Sequence, residues 1–176
     1  MKIDTFGVEM WMNEWENNCE FNLAETCVES LTLTELLNIT GRNETDLSAL
    51  LPLKMTYGDI KGSDRLRNAI AALYQKQNKA NILVTHGTIG ANMLVHKTLV
   101  EPEDKVISIV PTYQQHYSIP KSIGANISLL HLSEKTDWLP DLRELEKLTK
   151  PNTKLIALTN PNNPTGALIP KEMLEE

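Results

Sequence analysis

The stretch Lys154-Leu155-Ile156-Ala157-Leu158-Thr159-Asn160-Pro161-Asn162-Asn163-Pro164-Thr165-Gly166 decides how this chain is read. Its first half is an apolar run of strand length and predicts a buried strand over residues 155–159. Its second half holds two prolines and a glycine, which stop a helix from following directly. Backbone groups and asparagine side chains are therefore held at the end of a strand. An Asn before a Pro is also where a cis peptide bond costs least, because only an X–Pro bond makes the cis form inexpensive.

The pattern repeats toward the N-terminus. Ile82-Leu83-Val84-Thr85 reads as a short strand and residues 90–99 as a helix. Lys105-Val106-Ile107-Ser108-Ile109-Val110 is the next strand, with a helix over 114–123. Ile127-Ser128-Leu129-Leu130 is a third, followed by a helix over 139–148 that turns Leu142, Leu145 and Leu148 inward. Pro170 opens a last helix. Apolar strands separated by helices predict an α/β fold, a mostly parallel sheet flanked by helices on both faces. The first 55 residues read as a helical arm or small-domain segment, and 56–176 as an incomplete large α/β domain. Within the arm, Thr32 and Glu35 make a capping box that opens a helix over 33–39, and 41–48 reads as a polar loop. Ser63 caps a helix over 64–77, with Leu66, Ile70 and Leu73 inward and Arg65, Arg67 and Lys76 toward solvent.

Composition narrows the function. The 176 residues are 41% hydrophobic and 23% charged, the balance of an ordinary globular chain. A formal net charge of -6 offers no basic footprint for nucleic acid. No apolar run reaches membrane-spanning length, and Met1-Lys2-Ile3-Asp4-Thr5-Phe6 has no signal core, so a cytoplasmic location without a membrane partner is expected. Cys19 and Cys27 fit no metal spacing, and the four histidines do not pair at ligand spacing, so no metal site is expected. His86 stands at a strand end and reads as structural.

Ligands of open α/β sheets bind beyond the carboxyl ends of the strands. Three segments occupy such positions. Gly87-Thr88-Ile89-Gly90-Ala91 opens a helix, whose first N–H groups suit a phosphate, and Thr88 adds a hydroxyl. The same glycines equally serve a plain tight connection, and the Gly-x-Gly of a dinucleotide fingerprint is missing. Pro111-Thr112-Tyr113 sets a ring where it can stack on a flat heteroaromatic ligand, or serve as a core tyrosine with its hydroxyl satisfied. The third is 160–166 itself. Further back, Tyr57-Gly58, Gly62 and Leu66-Arg67 read as a turn and helix with a packed tyrosine.

Residues 160–166 resemble the Asn-Pro-x-Gly signature of the class I/II, fold type I, pyridoxal 5′-phosphate (PLP)-dependent aminotransferases. The loop at Gly87, the Pro-Thr-Tyr run and the Tyr57-Gly58…Gly62…Leu66-Arg67 pattern are similar to other segments of that family, in the family's order. The resemblance implies that Asn163 donates to the phenolic oxygen of the cofactor, that Gly87, Thr88 and Ile89 hold its phosphate, and that Tyr113 stacks on its ring. It also implies a homodimer in which Tyr57 reaches the cofactor phosphate of the neighbouring subunit. Gly90 stands where many members carry a larger polar residue, and Gln114 and Gln115 replace a proline often found nearby. The arm segment Leu23-Ala24-Glu25-Thr26-Cys27-Val28-Glu29-Ser30-Leu31-Thr32-Leu33 resembles a subgroup near capreomycidine synthase.

The implied activity is transfer of an amino group between an amino acid and a 2-oxo acid. A C–S lyase, a decarboxylase or a cyclising synthase of the same fold would share these motifs. The family's Schiff-base lysine, its ring-nitrogen aspartate and its two arginines fall past Glu176, and Lys171 follows the Asn-Pro segment too closely to replace the lysine. The expectation is therefore a fragment or truncated product, with no catalytic residue of its own and inactive alone. The alternatives are a non-catalytic binding or oligomerising module of the same fold and a nucleotide-binding α/β domain, the latter disfavoured by the missing fingerprint.

Overall fold

The computed structural model describes residues 2–25 and 27–176; Met1, and Thr26 of the arm segment, lie outside the described residues. The chain forms two compact units, one of the residues up to Ala24 together with His86–Glu176, the other of Glu25–Thr85. The first unit begins with helix α1 (Gly7–Trp15), which the sequence reading did not identify.

The second unit carries α2 (Leu33–Ile39) and α3 (Asp64–Ala71). The expected capping box opens α2: Glu35 N donates to Thr32 Oγ1 at 3.2 Å, and Thr32 N to the Glu35 carboxylate at 2.7 Å. Residues 41–48 are not simply a loop, because Asn43 caps a 3-10 helix over Glu44–Leu50, accepting from Thr45 N at 2.9 Å. Ser63 caps α3 through Leu66 N at 3.3 Å. The helix stops at Ala71 rather than 77, since Leu73 N and Tyr74 N turn back to the Ile70 and Ala71 carbonyls, a 3-10 pattern that ends the α-helical ladder.

Arg67 does not face solvent. Its Nε donates to Ile82 O at 2.9 Å, its guanidinium also bonds Lys79 O, and it lies 3.6 Å from Asp64. Leu66 and Leu73 are exposed instead, and Ala71 is the buried residue of α3. Residues 82–85 form no strand: Ile82 is extended, but the segment is held by Arg67 and by a Val84 N to Lys61 O bond of 3.1 Å rather than by a ladder. Gly62 makes that contact possible. It sits at φ +91°, and a Cβ there would lie 2.7 Å from Val84 Cβ.

The first unit resumes with α4 (Gly87–Leu99), β1 (Lys105–Val110), α5 (Gln115–Ile123), β2 (Asn126–His131), α6 (Leu142–Leu148), β3 (Thr153–Ala157) and α7 (Lys171–Glu175). Helix α4 begins three residues before the expected start. Helix α6 begins three residues after it, where the Asp141 side chain accepts from Arg143 N and Glu144 N at 2.9 and 3.3 Å. The strands are parallel, in the order β2-β1-β3, with Ile109 opposite Leu130 and Ile107 opposite Ile156.

Every β1 residue after Lys105 is buried, so both sheet faces are covered at the centre. Ile107, Ile109, Leu130 and Leu132 form the core cluster, with Leu145 and Leu148 of α6 packed on it. Helix α5 packs on β1 and β2, lies against α4, and ends at Gly124 in the left-handed conformation. The chain is thus an α/β fold with a parallel sheet flanked by helices. No helix of the described residues is long and apolar enough to cross a membrane.

Candidate functional site

Strand β1 leads through α5 to β2 on one side, while β3 lies on its other side. The carboxyl ends of β1 and β3 therefore flank a point where the winding direction reverses, the place where such sheets accept ligands. Pro111-Thr112-Tyr113 leaves β1 there, and 158–166 leaves β3. Three peptide bonds in these segments are cis: Val110–Pro111, Asn160–Pro161 and Asn163–Pro164. The Thr112 and Thr159 hydroxyls meet at 3.1 Å, joining the two strand ends.

The asparagines of this loop divide into two kinds. Asn160 Oδ1 accepts from Ile169 N at 2.9 Å. Asn162 is 6% exposed, and its Nδ2 donates to Pro111 O at 3.2 Å and to Thr165 Oγ1 at 3.0 Å. Asn163 is exposed and makes no side-chain hydrogen bond among the described residues. The first two asparagines hold the loop; the third retains its full donor and acceptor capacity.

The Gly87 segment lies at the start of α4, with Gly87 at φ +69° and the N-cap, His86, making no side-chain cap bond. Thr88 and Ile89 are exposed, and their amides belong to the first turn, whose donors have no intrahelical acceptor. Asn92 Nδ2 donates to Gln115 Oε1 at 3.2 Å, fastening α4 to α5 beside Tyr113. The first and second segments are thus anchored on one helix pair, and the second and third on each other.

Residues 3–9 run along the same helices. Gln114 Nε2 donates to Thr5 O at 2.9 Å and Asp4 O at 3.3 Å, and Lys121 meets Asp4 at 2.7 Å. Phe6 meets the Tyr113 ring edge-on at 5.1 Å, and Tyr113 OH donates to Glu9 Oε1 at 3.4 Å. Burial, and then the Glu9 charge, push the Tyr113 hydroxyl above its ordinary pKa of 10.0, so it stays a donor at neutral pH. A cavity of about 410 Å³ lies here, lined among others by Ile3, Phe6, Ile89, Met93 and Ser118.

Behind the site, His96 of α4 and His116 of α5 meet with ring centroids 6.5 Å apart, each with a buried Nδ1 lacking a partner. Tyr57 belongs to the other unit and is fully exposed. Lys171 is exposed and pairs with Glu175 at 3.3 Å along α7. Among the described residues no group of three or more metal-ligating side chains forms. Sequence reasoning missed Asn162, the contacts of residues 3–9 and the histidine pair. For Asn162 a signal existed, an Asn three residues before a Thr in a proline-flanked turn.

The profile of the family described as Aminotransferase class I and II matches residues 49–176. The glutamate-pyruvate aminotransferase AlaA of Escherichia coli K12 is 31% identical over 137 residues, 74% of this chain and 34% of that protein. The capreomycidine synthase of Streptomyces vinaceus is 27% identical over 166 residues, 92% of this chain and 41% of that protein. A solved PLP-dependent aminotransferase from Streptococcus suis 89-1591 superposes with a TM-score of 0.95 at 45% identity, covering 99% of this chain and 47% of that one. The chain belongs to the class I and II aminotransferases, a PLP-dependent family of fold type I, and corresponds to its N-terminal portion. It spans about a third of the length of most of the curated relatives it matches.

Proposed function

We propose that these residues form the cofactor-binding half of an aminotransferase site, serving transfer of an amino group between an amino acid and a 2-oxo acid. The observation that carries this reading is the junction of the β1 and β3 ends, which leaves Asn163 as the one asparagine of the loop with an uncommitted side chain. The donor set fits PLP. Thr88 and the first amides of α4 suit a dianionic phosphate. The Tyr113 ring suits a pyridine face, and the Asn163 amide suits an anionic oxygen on that ring. When bound, the cofactor supplies an electron sink for the substrate's α-carbon.

The roles of the chain's own groups follow from their placement. Thr88, with the Gly87–Ile89 backbone, anchors the phosphate and fixes where the ring lies. Tyr113 sets the tilt of the ring and covers it from water. Asn163 donates to the phenolic oxygen, which favours that oxygen's ionised form over the protonated one. Lys171, paired with Glu175 on an exposed helix face, takes no part.

The proposal extends to a cytoplasmic homodimer in which Tyr57 of the partner subunit contacts the phosphate, which accounts for a fully exposed tyrosine beside a glycine turn. It also places residues 1–55 in an arm or small-domain segment and 56–176 in the large domain. The test is direct. The open reading frame encoding these residues is expressed and assayed for transfer of ¹⁵N from a panel of L-amino acids to 2-oxoglutarate and pyruvate. Transfer that requires added PLP is expected where that frame supplies the Schiff-base lysine, and none from residues 1–176 alone; a lysine-bearing chain that transfers nothing would overturn the reading. Release of ammonia, sulfide or carbon dioxide without transfer would instead assign one of the lyase or decarboxylase chemistries of the same fold.

A further inference from the structure

We propose that Asn162 is a positioning residue, which orients Asn163 and the Tyr113 segment toward one another through a buried amide clasp. This rests on the cofactor reading of Asn163 and Tyr113. Pro161 and Pro164 have no N–H, so the loop between Asn160 and Thr165 is poor in backbone donors. Asn162 supplies what is missing. Its N–H donates to Ala167 O at 2.8 Å, and its carbonyl accepts from Gly166 N at 2.8 Å. Its Nδ2 has two hydrogens and two acceptors, Thr165 Oγ1 within the loop and Pro111 O, 51 residues away in sequence.

Both peptide groups of Asn162 take part in ordered bonds, and the next residue is Asn163. The side chain of Asn163 makes no hydrogen bond among the described residues, so the point and direction from which it reaches out, its Cα–Cβ bond, are set by the backbone that Asn162 holds. The bond to Pro111 O acts at the other end, one peptide group before Thr112 and two before Tyr113. A shift of well under 1 Å degrades a hydrogen bond, so orientation matters here as much as presence. The Thr112–Thr159 contact holds the strand ends together independently, so losing the clasp changes aim rather than fold.

The experiment uses pyridoxamine 5′-phosphate as the probe. It has the ring, phenolic oxygen and phosphate of the cofactor but no aldehyde to react with surface lysines. Affinity is measured by fluorescence titration for the wild-type chain, Asn163→Ala, Asn162→Ala and the double variant. Asn163→Ala is expected to weaken binding about tenfold, as for loss of a bond to a charged group. Asn162→Ala alone is expected to weaken it about fivefold, and the double variant to match Asn163→Ala within about twofold, because the two act through one contact.

Multiplying losses, or an Asn162→Ala that binds like wild type, would overturn the inference while leaving the site reading standing. A wild-type chain that does not bind the probe overturns the site reading, and this inference with it. In ¹⁵N spectra, Asn162→Ala is expected to move the Thr112, Tyr113 and Asn163 amides and leave those of β2 unmoved; a uniform change across the unit counts against positioning. If Asn162→Ala does not fold, Thr165→Val, which removes one acceptor of the clasp, takes its place in the same cycle.

Discussion

Acid should loosen this fold at one identifiable place, between α4 and α5. His96 is 3% exposed and His116 half-buried, and among the described residues no charged partner balances either. Burial lowers the pKa of both below the ordinary 6.5, with the His116 charge a second, smaller cause at His96. The sign follows from linkage. Well above pH 6.5 both rings are neutral, folded or unfolded, and contribute no pH dependence. As pH falls through 6.5 the unfolded chain takes up protons first, and stability is lost until the lower folded pKa values are reached. The loss has a ceiling of about 1.4 kcal/mol per pH unit for each ring.

Two imidazolium charges 6.5 Å apart would add about 2.6 kcal/mol of repulsion at an effective dielectric of about 20, so the second proton favours separation of the helices. Urea midpoints between pH 7.5 and 5, for the wild type and for His96→Gln combined with His116→Gln, isolate this contribution from the carboxylates, which both chains share. The double variant should lose less stability on going from pH 7.5 to 5.5, the difference having a ceiling of about 2.7 kcal/mol for the two rings together. Equal pH slopes, or ring pKa values of 6.5 or higher by NMR titration, would refute the argument. Since α4 begins with the Gly87 segment and α5 follows Tyr113, probe binding should weaken over the same interval.

Four further outcomes are expected. Gly62→Ala should destabilise by about 2 kcal/mol in urea unfolding, through its positive φ and the collision with Val84; an unchanged midpoint would mean the turn relaxes freely. Tyr113→Phe, which keeps the ring and loses the Glu9 bond, should hold pyridoxamine 5′-phosphate within about twofold, and Tyr113→Ala should release it about tenfold more readily; equal affinities would remove the ring from the site. Thr88→Ala should weaken that probe several-fold yet leave weak binding of unphosphorylated pyridoxamine unaltered, a contrast lost if Thr88 does not face phosphate. Lys171→Ala should change stability by no more than about 0.5 kcal/mol and leave probe affinity unmoved, since its partner is an exposed Glu175; a marked loss of affinity would place it in the site.

The sheet was legible because its signals are local. Val106 to Val110 has the density of apolar residues needed by a strand buried on both faces, and each strand is followed by a helical segment before the next. What escaped was decided by groups distant in sequence. Residues 82–85 have the composition of a strand, but a strand exists only where a second ladder is available, and Arg67 and Lys61 hold this segment instead. Helix periodicity sent Arg67 to solvent, yet two carbonyls fifteen and twelve residues away draw it in. The start of α6 slipped by three residues because the Asp141 cap outweighs the apolar pattern where the two disagree, and β3 lies two residues earlier than its apolar run, where it pairs with β1.

The site was legible to a different degree, and the two asparagines show why. Asn162 and Asn163 are chemically identical and adjacent, so composition cannot assign one to the loop and the other to a ligand. The motif singled out Asn163; the structure supplies a physical reason that the motif does not contain. Both Nδ2 hydrogens of Asn162 are already donated, one of them across 51 residues to Pro111, whereas none of Asn163's are. A loop with two prolines must recruit side chains to replace backbone donors, and once Asn162 has done so its neighbour is left with an unspent amide at the mouth of a parallel sheet. The same bond that removes Asn162 from ligand chemistry makes Asn163 directional, so the pair acts as a single device of which only the outer half would touch the cofactor.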